Sequence, residues 1–195
     1  MLSKEEWRYL FAIIRRALKE AFKGKKIEVS PPTEENFPHL YEKRGVFVTL
    51  YKKGSGKERH ERGSLRGCIG SIFPEKPLYE EIIEVALSSA FKDPRFPPLR
   101  EEEFEDVEIE ISLLSPLKRV SYEEIEVGKH GIYIKKGHYR GLLLPQVATE
   151  YEWDRETFLR YTCLKAGLSE DCYLDPEVEI YVFTAEVCKE SELRV

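Results

Sequence analysis

Hydrophobic residues recur along this chain with two periods, and the switches between those periods outline the fold. Trp7, Leu10, Phe11, Ile14, Leu18 and Phe22 fall three or four residues apart, the spacing of one buried helix face. Ser3, with Glu6 three residues on, forms a capping-box pattern ahead of that run, and Gly24 supplies a stop. The spacing predicts a helix over about residues 4–23. Pro31, Pro32 and Pro38 then make 28–40 an irregular connector.

From residue 45 onward the chain runs through one cycle twice. "GVFVTLYKK" from Gly45 and "GIYIKK" from Gly131 alternate like strands, and each is followed by a second strand holding an Arg-Gly pair, "SLRGCIG" and then "HYRGLLLP". Helical runs come next, "PLYEEIIEVALSSAF" and "DRETFLRYTCLKAGL", and each copy closes on a strand beginning Val-Glu-Ile, at Val107 and at Val178. The predicted order is β-β-α-β, repeated, over about 45–116 and about 131–187 of one 195-residue domain. Short strands joined by hairpin-like turns give an α+β class: two β-β-α-β-type repeats forming one largely antiparallel, barrel-like sheet with flanking helices, divisible into two subdomains. Between the copies, Ser121 and Glu124 carry a second capping-box pattern and predict a short helix.

Composition narrows the function classes. A chain of 195 residues buries roughly 70% of its unfolded surface, enough to fold without a metal or disulfide staple. Thirty-one basic against 36 acidic side chains, with both signs mixed, argue against non-specific nucleic-acid binding, which needs a basic surface. A small basic cleft stays compatible with that balance. No basic stretch leads into an apolar run, and none approaches the roughly 18 residues of a membrane span, so the expectation is a cytoplasmic protein with no membrane partner. One Asn (Asn36), one Gln (Gln146) and 34% charged residues form the amide-poor, charge-rich pattern of heat-adapted microbes. The cysteines, Cys68, Cys163, Cys172 and Cys188, permit two bridges or none.

The candidate chemistry centres on "SLRGCIGSIF". Strand alternation puts Arg66, Cys68 and Gly70 on one face, and a guanidinium beside a thiol favours the nucleophilic thiolate. Gly67 and Gly70 would let a ligand or another backbone approach closely. Against the nucleophile stands the repeat: Arg66-Gly67-Cys68 lies over Arg140-Gly141-Leu142, so the second copy fills the cysteine slot with leucine. Asp93 and Arg95, on a proline-stiffened loop, are either a ligand contact or a helix cap paired with itself. Gln146, kept against the bias away from amides, points to a specific hydrogen-bond task. His39, His60, His130 and His138 are scattered, which predicts no metal site. "KKGSGKERHERG", 52–63, predicts a mobile hairpin loop and lacks phosphate-loop spacing.

These stretches together resemble the AMMECR-type domain family. Its hallmark hexapeptide Leu-Arg-Gly-Cys-Ile-Gly stands unchanged as Leu65 to Gly70, and the likeness continues through "SSAFKDPRFPPL", "EIEISLLSP", "GKHGIYI", "GLLLPQVATE" and "FLRYTCLKAGL". The resemblance implies an α+β domain of two β-rich repeats with a cleft, and implies no established reaction. It also implies a genomic setting beside Memo-type and radical-SAM proteins, hence a modification pathway.

Two hypotheses follow. In the first, a cleft around Leu65–Gly70 binds or modifies a small anionic or nucleotide-like ligand, its cofactor unknown. There Arg66 holds the anion, Gly67 and Gly70 give backbone access, Asp93, Arg95 and Gln146 contact the ligand, and Cys68 is the candidate nucleophile. In the second, the domain is a non-catalytic protein-interaction module and the hexapeptide is architecture.

Overall fold

Helix α1 begins and ends where its signals predict. In the computed structural model, which describes residues 1–54 and 64–193, α1 spans Lys4–Phe22. The Ser3 hydroxyl accepts from the Glu6 N–H at 3.1 Å and the Glu6 carboxylate accepts from the Ser3 N–H at 2.8 Å, closing the box in both directions. Gly24 lies at φ +71°, the left-handed conformation that favours glycine just past a helix. Buried Glu6 also accepts from the His39 N–H at 3.0 Å, which ties the Pro-rich connector to the helix start.

In chain order the remaining elements are β1 (Val46–Lys52), β2 (Leu65–Ser71), α2 (Leu78–Phe91), β3 (Val107–Leu114), β4 (Lys118–Arg119), β5 (Gly131–Lys136), β6 (Tyr139–Leu143), α3 (Pro145–Glu150), α4 (Arg155–Lys165), β7 (Glu179–Phe183) and β8 (Ala185–Lys189). The Ser121–Glu124 pattern opens a single 3₁₀ turn, Tyr122–Glu124. The loop expected over 52–63 falls mostly on 55–63, outside the described residues.

The chain divides into two units, Met1–Leu113 with Glu186–Val195, and Leu114–Ala185. Each is built on its own four-stranded sheet, in orders β2-β1-β3-β8 and β6-β5-β7-β4, so the strands form two sheets where the sequence reading joined them in one. In both, the first strand of the hairpin takes an inner place, flanked by its hairpin partner and by the Val-Glu-Ile strand, in antiparallel register. The fourth strand comes each time from the segment that follows the other copy's third strand. This explains why the run from Val178 is two strands: the chain must leave the β7 ladder to join β3, and it breaks at Thr184.

Alternation along the strands builds the first unit's core. Val46, Val48 and Leu50 of β1 face the same side as Ile109, Ile111 and Leu113 of β3, fully buried with Leu10, Ile14 and Leu18 of α1 and Ile82 and Ala86 of α2. Each such side chain contributes about 1.5–3 kcal/mol by leaving water. The second unit repeats the scheme with Ile132, Ile134 and Val182 against Phe158 and Leu159 of α4. A disulfide joins Cys163 to Cys172, whose Cα atoms are 5.8 Å apart, while Cys68 and Cys188 are free thiols. Among the described residues no helix is long and apolar enough to cross a membrane.

Candidate functional site

The hexapeptide Leu65–Gly70 lies in β2, at the edge of the first sheet. An edge strand leaves backbone groups without a neighbouring strand, and here side chains take that place. The Cys68 N–H donates to Asp93 Oδ2 at 2.9 Å, and Arg95 Nη2 donates to the Cys68 carbonyl at 3.3 Å. Asp93 and Arg95 also pair with each other, Nη2 to Oδ2 at 2.8 Å and Nε to Oδ1 at 3.1 Å. The Arg95 side chain holds the buried Asp93 carboxyl at about 2, well below the usual range, against the opposing pull of burial. The pair expected either as a ligand contact or as a self-paired cap thus bonds the edge of β2 as a strand would.

Both glycines sit under close neighbours. A Cβ on Gly67 would lie 2.1 Å from the Ser89 carbonyl oxygen, so the backbone that approaches this glycine is that of α2. A Cβ on Gly70 would lie 2.3 Å from the Phe47 ring. The second unit explains why the Arg-Gly pair recurs: a Cβ on Gly141 would lie 2.5 Å from Ala166 N, just after α4. The Ser89 hydroxyl accepts from the Ile69 N–H at 2.9 Å, and its single proton faces the carbonyls of Val48 (2.8 Å), Val85 (3.0 Å) and Ile69 (3.3 Å). Helix α2 is bonded into the β1–β2 ladder through this side chain, which lies in the "SSAFKDPRFPPL" stretch.

Arg66 departs from the expected alternation. Leu50 pairs with Gly67 and Tyr51 with Leu65, so Arg66 is the extra residue of a β-bulge. A bulge re-aims the side chain, and Arg66 turns to Glu103 of the 3₁₀ turn Glu101–Asp106. Nε donates to Oε1 and Nη2 to Oε2, each at 3.0 Å, in a two-pronged ion pair. Arg66 is 4% exposed, and its third nitrogen, Nη1, is buried with no hydrogen-bond partner among the described residues. The guanidinium holds Glu103 at about 2, outweighing the opposite effect of burial. Glu103 also accepts from the Arg100 N–H at 2.9 Å.

Cys68 is therefore not activated by Arg66. Its Sγ lies 3.2 Å from the Thr49 hydroxyl, and burial pushes the thiol up, with the Thr49 bond and the Arg95 charge acting weakly the other way. That direction is the reverse of what a resting thiolate needs.

Beside Arg66 opens a cleft of about 410 Å³. Lys52, Arg66, Arg100 and Glu103 supply its charged lining, and Leu65, Phe96 and Pro97 its apolar wall. Of the hexapeptide, Leu65 and Arg66 are among the described residues that line it. Gln146 belongs to the second unit, in the first turn of α3, where its carbonyl accepts from the Thr149 hydroxyl at 3.0 Å. Glu103, Lys52 and Arg100 went unread in the sequence. An arginine inside an apolar strand demands a carboxylate partner, and that demand was the available signal for Glu103. Among the described residues no three His, Cys, Asp or Glu side chains gather as a metal-binding set.

The same chain plan occurs in other proteins. A family model described as AMMECR1 matches residues 11–188. A protein of Methanothermobacter thermautotrophicus is 45% identical, covering 97% of this chain and 96% of its own. Protein MK0488 of Methanopyrus kandleri is 46% identical, covering 98% and 91%. The crystal structure of uncharacterized protein PH0010 from Pyrococcus horikoshii matches with a TM-score of 0.85 at 44% identity, covering 97% of this chain and 93% of that one. Relatives from thermophiles accord with the amide-poor composition. With the hexapeptide, the repeat and nearly the whole length in common, the chain belongs to the AMMECR1 family.

Proposed function

We propose that the chain is a cytoplasmic domain whose cleft beside the hexapeptide binds a small anionic or nucleotide-like ligand, with Arg66 recognising its charge. The observation that carries this reading is the charge of the cleft lining, where Lys52, Arg66 and Arg100 stand against the one carboxylate of Glu103. An excess of positive charge in a partly enclosed cleft attracts and holds an anion. Cys68, Asp93, Gly67 and Gly70 then serve by shaping and bonding β2. Such a ligand fits the modification pathway, shared with Memo-type and radical-SAM proteins, that the family resemblance implies.

Calorimetric titration with adenosine monophosphate and with benzoate, two unlike small anions, tests the reading. At least one binds the native chain, and the paired change Lys52→Ala with Arg100→Ala weakens it tenfold or more. Failure of both anions to bind overturns it.

A second reading treats the domain as a protein-interaction module with a purely architectural hexapeptide. Its support is the contact of Gly67 with Ser89 and of Gly70 with Phe47. On that reading neither anion binds.

A further inference from the structure

Taking as its basis the reading that this cleft holds an anion, we infer that the ligand is a phosphomonoester of a flat or apolar group, with Glu103 as a positioning residue for Arg66. The first ground is the way Arg66 is used. A planar carboxylate is best held by two parallel N–H donors of one guanidinium, and both donors of that fork are already taken by Glu103 at 3.0 Å. Nη1, which belongs to the guanidinium's other fork, is enclosed by the protein, so Arg66 offers a ligand its charge and no two-pronged seat for a carboxylate.

The second ground is the number and origin of the cations. Lys52 ends β1, Arg66 stands in the bulge of β2, and Arg100 immediately precedes the 3₁₀ turn at Glu101. Three cations on three separate segments suit a group with three terminal oxygens, which a phosphate has and a carboxylate lacks. Three positive side chains against the one carboxylate of Glu103 leave the lining with an excess of two positive charges, in a chain whose net charge is −5. A phosphomonoester carries about −1.5 to −2 at neutral pH, so its charge matches that local excess.

The third ground is the remainder of the cleft. Inorganic phosphate alone leaves most of about 410 Å³ empty, and that volume falls in the range of roughly 300–1,000 Å³ typical of small-molecule sites. Leu65, Phe96 and Pro97 offer an apolar wall against which a flat or apolar group packs, and the Arg95 guanidinium already lies over the Phe96 ring, 5.4 Å from its centroid. Glu103 touches no ligand in this scheme. It fixes the guanidinium plane beside the cleft.

Calorimetric titration of the full chain with phenyl phosphate, inorganic phosphate and benzoate at matched ionic strength tests the inference. Phenyl phosphate binds at least tenfold more tightly than inorganic phosphate, and at least tenfold more tightly than benzoate. Phe96→Ala, at a partly exposed position, brings phenyl phosphate down to the affinity of inorganic phosphate. Lys52→Ala weakens both phosphates and leaves their ratio unchanged. Glu103→Gln, which keeps the shape and one acceptor, reduces the preference for phenyl phosphate over benzoate, an effect that a purely structural Glu103 would not have. Equal binding of benzoate and phenyl phosphate overturns the phosphate inference while the anion cleft stands. Absence of binding by all three overturns both.

Discussion

Arg66 and Glu103 meet fork to fork, with both N–H···O distances at 3.0 Å, and the pair anchors the bulge of β2 to the turn that precedes β3. The bulge exists in register terms because one residue too many faces β1. It persists in energetic terms because the extra residue has a carboxylate to meet.

Breaking this pair from one side is the costly change. Glu103→Ala leaves a buried guanidinium without its partner and destabilises the chain by about 3 kcal/mol, the lower end for removing half of a buried pair. Arg66→Met costs less, because Glu103 is 18% exposed and keeps the Arg100 N–H. Arg66→Met with Glu103→Ala costs less than the two single changes added together. Guanidinium unfolding of the four proteins measures the coupling, and strict additivity would show that the pair contributes nothing.

Acid tests the same pair together with Asp93. Both carboxyls are held at about 2 in the folded chain, against ordinary values of 4.5 for Glu103 and 3.8 for Asp93. Between those limits the unfolded chain binds more protons than the folded one, so stability is full above about pH 5 and falls as pH drops toward 2. Holding a carboxyl that far below its ordinary value is worth on the order of 2–3 kcal/mol, and each group loses that contribution over the fall. Unfolding midpoints measured from pH 6 to pH 2 decline in the native chain and decline less steeply in Glu103→Gln.

Gly67 admits no side chain. Gly67→Ala drives a methyl group into the Ser89 carbonyl and costs about 3 kcal/mol, the upper end of overpacking effects, and Gly141→Ala does the same in the second unit. Gly54→Ala, with nothing within 4 Å among the described residues, is the control and changes stability by less than about 0.5 kcal/mol.

These contacts mark what the sequence made legible. The helix ends at Ser3 and Gly24, the doubled β-β-α-β order and the strand beginning at Val107 were readable because capping pairs, glycine stops and alternation act locally. The two fourth strands were not: β4 is two residues long, and β8 continues the apolar run of β7 without a break in pattern. Alternation placed Arg66 beside Cys68, and the bulge, which arises from how β2 meets β1, sent it to Glu103. Glu103 itself sits in an acidic run that looks like solvated surface. Asp93 and Arg95 were visible as a pair, but their bonds to the Cys68 backbone require the edge position of β2.

The free thiols react slowly. Burial pushes Cys68 up and lifts Cys188 to about 11, so at neutral pH neither is a thiolate to any extent. Iodoacetamide labelling followed by mass spectrometry gives rates below that of free cysteine at both positions, and a faster rate at Cys68 would revive the nucleophile.

The disulfide closes a short segment with a sequence separation of 9 between Cys163 and Cys172. A loop of that length is worth roughly 2.5 kcal/mol on the chain-entropy account. Cys163→Ser with Cys172→Ser lowers the unfolding free energy by about that amount, and intact-mass analysis before and after reduction of the native chain shows the bridge directly.

The most direct test of the account follows the Arg66 side chain itself. With nitrogen-labelled arginine, the Arg66 guanidinium resonances are assigned by their loss in Arg66→Lys and followed while phenyl phosphate is added. The account predicts a saturable shift of the Arg66 signal that Lys52→Ala weakens. An Arg66 signal that stays still while phenyl phosphate reaches concentrations that saturate the protein would contradict it.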